Sequence, residues 1–271
     1  MILFDTHCHL QDRAFDGEID GAIARAREAG VLGMTLCGYD PESNLRTLAI
    51  AANHPGVFPA VGYHPHDAKD ITPDLLDELE RLASLPQVVA VGEIGLDHFR
   101  DHSPHAVQAA ILRDELAIAL RLHKPVSVHT RAAEDAIREP LAAFGRAWTS
   151  GDGRFAGVLH CFGGTLEQAA PLVDVGFAVS FACAITYPKN TEARRMAANL
   201  PLDAIVVETD SPYLPPQRLR GQRNEPAHIS SAVQAIAEAR GVAIETIAAA
   251  TTRNAERLFG VRVAPPAGVT A

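Results

Sequence analysis

The strongest constraint in this sequence is an alternation. Eight short runs rich in β-branched and apolar residues recur along the chain: "MILFDTHCHL", "GVLGMTLCGY", "GVFPAVGYHP", "VVAVGEIGLD", "PVSVHTR", "AGVLHCF", "GFAVSFACAI" and "AIVVETDSPYL". Between them lie longer Ala-, Leu- and Glu-rich stretches of helical character, several ending at Gly or Pro. Runs of this kind suit strands covered on both faces, and the intervening helices supply the crossovers of a parallel sheet. Eight such units predict an α/β fold, a (β/α)8 TIM barrel, as a single domain over residues 1–261. Residues 262–271, "RVAPPAGVTA", read as a flexible C-terminal tail. The seventh run is the weakest of the eight, because "SFACAIT" also reads as something other than strand.

Composition agrees with a large buried core: 47% of residues are hydrophobic and 21% charged. The balance of 24 basic against 33 acidic residues leaves a formal charge of −9, which excludes a broad basic surface for polyanions. Binding of nucleic acid, if it occurs, has to be local. The start "MILFDTHC" has neither a basic segment nor a long apolar one, and no uncharged apolar run approaches the roughly 18 residues of a membrane span. These features predict a cytoplasmic protein with no membrane contact and no obligate protein partner. Cys8, Cys37, Cys161 and Cys183 form no CxxC pair and are expected to be reduced and mostly buried.

In such barrels chemistry sits at the C-terminal ends of the strands. His7 and His9 close the first run, and because strand side chains alternate, residues two apart point the same way. Glu93 lies in "VGEIGLD", His129 in "VSVHTR", His160 in "VLHCF" and Asp210 in "VVETD", each at the end of its own run. One histidine at a strand end is ordinarily a structural residue, and one acid before a turn is ordinarily a cap. Six ligand-type residues aimed at one mouth are a different matter. Four imidazoles and two carboxylates suit zinc, manganese, cobalt or iron better than calcium, which prefers oxygen ligands alone. Six protein ligands exceed the three or so that one open catalytic ion uses, so two ions sharing a carboxylate is the natural count.

The ordered set "DTHCHL", "VGYHPH", "VGEIGLD", "PVSVHTR", "HCFGG", "ETDSPYLPP" and "RGQRNEP", running nearly the whole chain to "NAERLFG", resembles the TatD-like deoxyribonuclease family of the amidohydrolase superfamily. The HxH pair alone is shared by many hydrolases, whereas the full series is specific. The resemblance implies a (β/α)8 barrel holding two divalent ions (zinc, magnesium or manganese): one on His7, His9 and Asp210, a second on His129 and His160, and Glu93 between them. It implies hydrolysis of DNA phosphodiesters, often as 3′ to 5′ trimming, with RNA or damaged ends as further substrates, DNA being bound locally at the barrel mouth. Asp210 is the first choice for the catalytic base, since a carboxylate at the metal edge can take the proton of the attacking water, and Glu93 is the second catalytic carboxylate.

His64, in "GYHPH", is expected to contact a phosphate or leaving group, and His66 is not. Arg131 reads either as a phosphate contact or as a partner of Glu134. Arg220 and Arg223, in "RGQRNEP", are further candidates for substrate binding, though sequence does not separate that role from loop anchoring. Tyr213 and Phe162 are candidate base-stacking surfaces, left outside the site because aromatics near strand ends are usually core. The segment "DHFRDHSPHAVQ", with His98, His102 and His105, departs from the aromatic and Arg/Gln-rich segment usual in the family. Two other readings stand beside the nuclease. The same centre could hydrolyse an amide, a lactone or an aminoacyl ester, because water activation does not specify the bond that is cut. A non-catalytic barrel that keeps its metals for folding is the third, and it is disfavoured by an open mouth.

Overall fold

The eight expected runs become eight strands in the computed structural model, which describes residues 1–148, 151 and 153–264. They are β1 (Leu3–Cys8), β2 (Val31–Cys37), β3 (Val57–Val61), β4 (Ala90–Asp97), β5 (Val126–Arg131), β6 (Gly157–Leu159), β7 (Phe177–Phe181) and β8 (Ile205–Val207). Each pairs in parallel with the next, in the order β1 to β8. One helix follows each of the first seven strands: α1 (Ile19–Glu28), α2 (Pro41–Asn53), α3 (Pro73–Ala83), α4 (His105–Leu122), α5 (Glu134–Ala147), α6 (Leu166–Val173) and α7 (Thr191–Asn199). After β8 come α8 (Ser230–Arg240) and α9 (Ile244–Phe259). The fold is therefore a (β/α)8 barrel.

Local chemistry sets several boundaries. Asp40, Thr72 and Thr165 accept a backbone N–H at the starts of α2, α3 and α6, satisfying donors that no preceding turn can reach. Gly241 and Gly260 end α8 and α9 in the left-handed region, which glycine enters without strain. The seventh run stops at Phe181, and Cys183–Thr186 form a 3-10 turn. All four cysteines are free thiols; Cys161 is half-buried and the other three are buried.

Leu3, Ile23, Met34, Leu36, Leu79 and Ile94 are fully buried and belong to the main core. A smaller cluster stacks the Phe4 ring on Phe58 and Phe259, with centroids 5.7 and 5.8 Å away. Val261 and Val263 pack against that cluster, so the first residues past α9 are attached to the barrel. Residues 265–271 of the expected tail lie outside the described residues. Among those described, no helix is long and apolar enough to cross a membrane.

The seam between β1 and β8 joins the two ends of the sheet at the mouth. Thr6 Oγ1 donates to the Val207 carbonyl (2.9 Å), and the Thr209 N–H donates to Asp5 Oδ1 (2.9 Å). One step further out, the Asp210 N–H donates to the His7 carbonyl (2.9 Å) and the His9 N–H to the Ser211 carbonyl (2.7 Å). Two residues carrying ligand-type side chains are thus tied by backbone bonds. Between β4 and β5, Gly95 pairs with His129 at φ 148°, and a Cβ there would stand 2.0 Å from the His129 carbonyl oxygen. Any side chain at Gly95 would push β5, and His129 with it, out of place.

Glu115 of α4 is buried and accepts the Tyr63 N–H at 2.9 Å, just before His64. Burial pushes its carboxyl well above the usual range, so the acid is neutral in the fold and ionised in the unfolded chain at neutral pH. A folded pKa above the unfolded one gives stability that is complete below about pH 4.3 and declines as pH rises toward the folded value. Glu115→Gln is expected to raise the melting temperature at pH 8, with the gain shrinking as pH falls toward 4.5. An equal difference at both pH values would show that Glu115 ionises freely in the fold.

Candidate metal centre

The six ligand-type side chains meet at the C-terminal mouth of the barrel. Strand alternation brings His7 and His9 together as expected, with their Nε2 atoms 3.1 Å apart. Glu93 stands in the middle of them: Oε2 is 3.4 Å from His7 Nε2 and 3.5 Å from His9 Nε2, while Oε1 is 3.1 Å from His129 Nδ1 and 3.7 Å from His160 Nε2. Asp210 Oδ1 completes the ring, 3.6 Å from His9 Nε2 and 3.8 Å from His160 Nε2. Glu93 and His129 lie within strands, but His160 is one residue past β6 and Asp210 three past β8. Asp210 sits in the left-handed region at φ 56°, a conformation that aspartate tolerates better than most side chains.

Three groupings have ligand atoms within 4.8 Å of one another: His7, His9 and Glu93; His7, His160 and Asp210; and His64, Glu93 and His129. The nitrogens turned away from the centre show how the rings are set. His9 Nδ1 faces the Cys37 carbonyl at 2.8 Å and His7 Nδ1 the Ser127 hydroxyl at 3.2 Å. His129 Nε2 faces Asp97 Oδ2 at 3.2 Å, and His160 Nδ1 stands 2.9 Å from Glu208 Oε1, a pair close in distance without a straight N–H···O alignment. A ring that gives its outer proton to an acceptor offers a lone pair inward. Lone pairs and carboxylate oxygens facing one another at 3.1 to 3.8 Å are stabilised by a cation between them, so the residues fit a divalent metal. His64 is set the other way. Its Nδ1 accepts the His66 N–H at 3.1 Å, and burial lowers its pKa to about 3, so the neutral ring carries its proton on Nε2, 3.6 Å from Glu93 Oε1.

The surrounding charges point the same way. Burial alone would lower the His160 pKa, but Glu208, Asp210 and Glu93 outweigh it and push it up to about 10. Burial would raise the Glu93 carboxyl, yet His7, His64 and His129 hold it well below the usual carboxylate range. Asp97 is likewise held low, against its own burial, by His129, His66 and the N–H groups of Arg100 and Phe99. Four carboxylates crowd this cluster, and positive charge is what they lack.

Above the cluster the cavity has two lobes. One, of about 640 Å³, is bordered by His64, His66, Lys69, Arg100, His102 and Arg131. The other, of about 670 Å³, has Phe162, Phe181, Met196 and Leu214 in its walls. Both are bordered by Arg100, His129, Arg131, His160, Asp210 and Tyr213, so they join over the ligand-type residues. His64 and Arg131 are therefore brought to the mouth, and Arg131 stacks on Phe99, 4.0 Å from its ring centre, with no ion pair to Glu134 among the described contacts. Arg220 and Arg223 border neither lobe. The Arg220 guanidinium lies 4.6 Å over the Tyr187 ring, and Arg223 is bound to the Ala14 carbonyl, Glu18 and Glu225. Those are anchoring contacts, and all but the one to Glu225 reach residues far away in sequence. His98 and His105 stack on each other at 3.6 Å, and His102 packs on His66. Sequence reasoning passed over Asp97 and Glu208, the acids behind His129 and His160. The signal was present in the period of two, since Glu208 and Asp210 stand two apart in "ETD".

Comparisons with known proteins give the family. The chain is 32% identical over 260 residues to an uncharacterized metal-dependent hydrolase, YabD, of Bacillus subtilis (strain 168), covering 96% of this chain and 100% of that one. It is 33% identical over 267 residues to the 3′-5′ ssDNA/RNA exonuclease TatD of Klebsiella pneumoniae (strain 342), covering 96% and 99%. The crystal structure of YjjV, a TatD homolog from Escherichia coli K12, superposes with a TM-score of 0.88 at 32% identity, over 96% of this chain and 98% of the other. With the model of the TatD related DNase family matching residues 4–260, the chain belongs to that family of metal-dependent hydrolases.

Proposed function

We propose that the protein is a two-metal phosphodiesterase of the cytoplasm that trims single-stranded DNA, and RNA as a second substrate, from the 3′ end. The observation that carries the reading is the position of Glu93, one oxygen toward His7 and His9 and the other toward His129 and His160. A carboxylate so placed suits two cations, one on His7, His9 and Asp210 and one on His129 and His160. The exonuclease named among the relatives supports nucleic acid as the substrate. Cations bound there supply Lewis acidity and a charge clamp for water and phosphate.

The remaining work falls to the protein. Asp210, whose side chain is 14% exposed against 5% for Glu93, 1% for Asp97 and none for Glu208, is the most open of the four acids and borders both lobes. It accepts the proton of the attacking water at a carboxylate oxygen and returns it to the leaving oxygen. His64 offers Nε2–H to a phosphate oxygen, and Arg100 and Arg131 hold non-bridging oxygens beside the cluster. Because these cations are confined to the mouth, a chain of charge −9 can still hold a strand there.

The test is direct. Purified protein loaded separately with zinc, magnesium or manganese is given 5′- and 3′-labelled single strands, and in parallel a panel of amides, lactones and aminoacyl esters. The 5′-labelled strand is expected to shorten stepwise while the 3′ label leaves at once as a mononucleotide. Turnover of a lactone or amide with no shortening of either strand would replace this reading with the other hydrolase.

A further inference from the structure

Most aromatic side chains in this protein are hidden. It has ten phenylalanines, four tyrosines and one tryptophan, all among the described residues, and only Phe99 and Tyr213 are exposed, at 61% and 53%. Tyr213 stands at the metal centre's cavity, and Phe99 stands beside it, packed on an arginine of the cavity wall. Tyr213 borders both lobes, its ring 6.2 Å from that of His9 and its phenol oxygen 3.4 Å from Asp12 Oδ2. Phe99 lies under Arg131, which borders both lobes too.

Exposed aromatics left singly on a surface need no explanation, but one in the cavity wall and another against Arg131, with Arg100 next to it in the same wall, point to a ligand with flat apolar faces. The Phe99 side of the mouth is also held rigidly. Asp97 Oδ1 accepts the N–H groups of Phe99 and Arg100 at 2.9 Å each, while Oδ2 faces His66 and His129. One buried carboxylate therefore fixes the Phe99 loop and a metal-facing imidazole together. Arg131 over the ring adds a positive charge beside it, the pairing that suits a base attached to a phosphate.

We propose that Phe99, backed by Arg131, and Tyr213 are stacking surfaces for the nucleobases flanking the phosphodiester that is cut. This rests on the phosphodiesterase reading and names side chains that would hold its substrate. A base can lay its face on an aromatic ring only when it is unstacked from its neighbours, as the bases of a single strand can be. With so acidic a protein, base stacking supplies much of the affinity that a basic groove supplies elsewhere.

The metal-loaded enzyme, Phe99→Ala, Phe99→Trp and Tyr213→Ala are compared on a single-stranded oligonucleotide and on the same strand carrying base-free residues at its 3′ end. Both positions are exposed, so the variants are expected to melt with the wild type. Wild type is expected to favour the normal strand through KM by about tenfold to a hundredfold, the range of stacking on one or two bases. Each alanine variant raises KM on the normal strand about tenfold and leaves KM on the base-free strand unchanged, while Phe99→Trp keeps the preference. Alanine variants with wild-type KM on the normal strand, or with equal losses on both strands, would overturn the stacking role. Wild-type enzyme that cuts neither strand would sink the phosphodiesterase reading itself, and this proposal with it.

Discussion

Asp210→Asn is expected to lower kcat on single-stranded DNA by about a hundredfold to ten-thousandfold, the range of a positioned proton acceptor. The substitution keeps the shape of the side chain and its place at φ 56°, which asparagine tolerates as well as aspartate. What it removes is basicity at the most exposed carboxylate of the site. The amide oxygen still faces His9 and His160, so metal content measured on the purified variant separates a lost ligand from a lost base. A variant that keeps its metal and loses turnover supports proton transfer by Asp210. One that keeps more than a tenth of wild-type kcat would assign the proton to another group.

Glu208→Gln tests the layer behind the metal-facing rings. Glu208 is fully buried, 2.9 Å from His160 Nδ1, and is the foremost group raising the pKa of that ring. It touches no substrate and acts as a positioning residue for His160. Replacing an acid behind a metal-ligating histidine costs about tenfold to a hundredfold in metal affinity. The activity curve against free metal is expected to shift right by that factor, with most of kcat returning at saturating metal. Superimposable curves for variant and wild type would show that Glu208 does not orient His160. Asp97 holds both His129 and the Phe99 loop, so Asp97→Asn would mix a metal effect with a substrate effect, which makes Glu208 the cleaner probe.

The alternation of apolar and helical runs was enough to read the barrel, because strands buried on both faces leave an unmistakable apolar signature. His7 and His9 were legible for a local reason, the two-residue strand period. His160 and Asp210 were legible only by their place after a run, since β6 and β8 are three residues long and both side chains stand beyond them. What stayed hidden depends on contacts that span the chain. Arg223 pairs with Glu18, 205 positions away, and no local pattern announces that its charge is already engaged. Asp97 and Glu208 look like ordinary acids near strand ends until the rings in front of them are placed. Phe99 went unconsidered while Phe162 was weighed, since exposure is decided by packing: the first is 61% exposed and the second 5%.

The hydrogen bonds that stitch β1 to β8 carry a consequence for biogenesis. The imidazole pair emerges from the ribosome early, and Asp210 is translated only after all eight staves are made. Until then a nascent polypeptide carries five of the six ligand-type side chains and lacks the one that completes their ring. The complete six-residue ring therefore exists only once the barrel has closed, with Asp210 bonded to the His7 backbone.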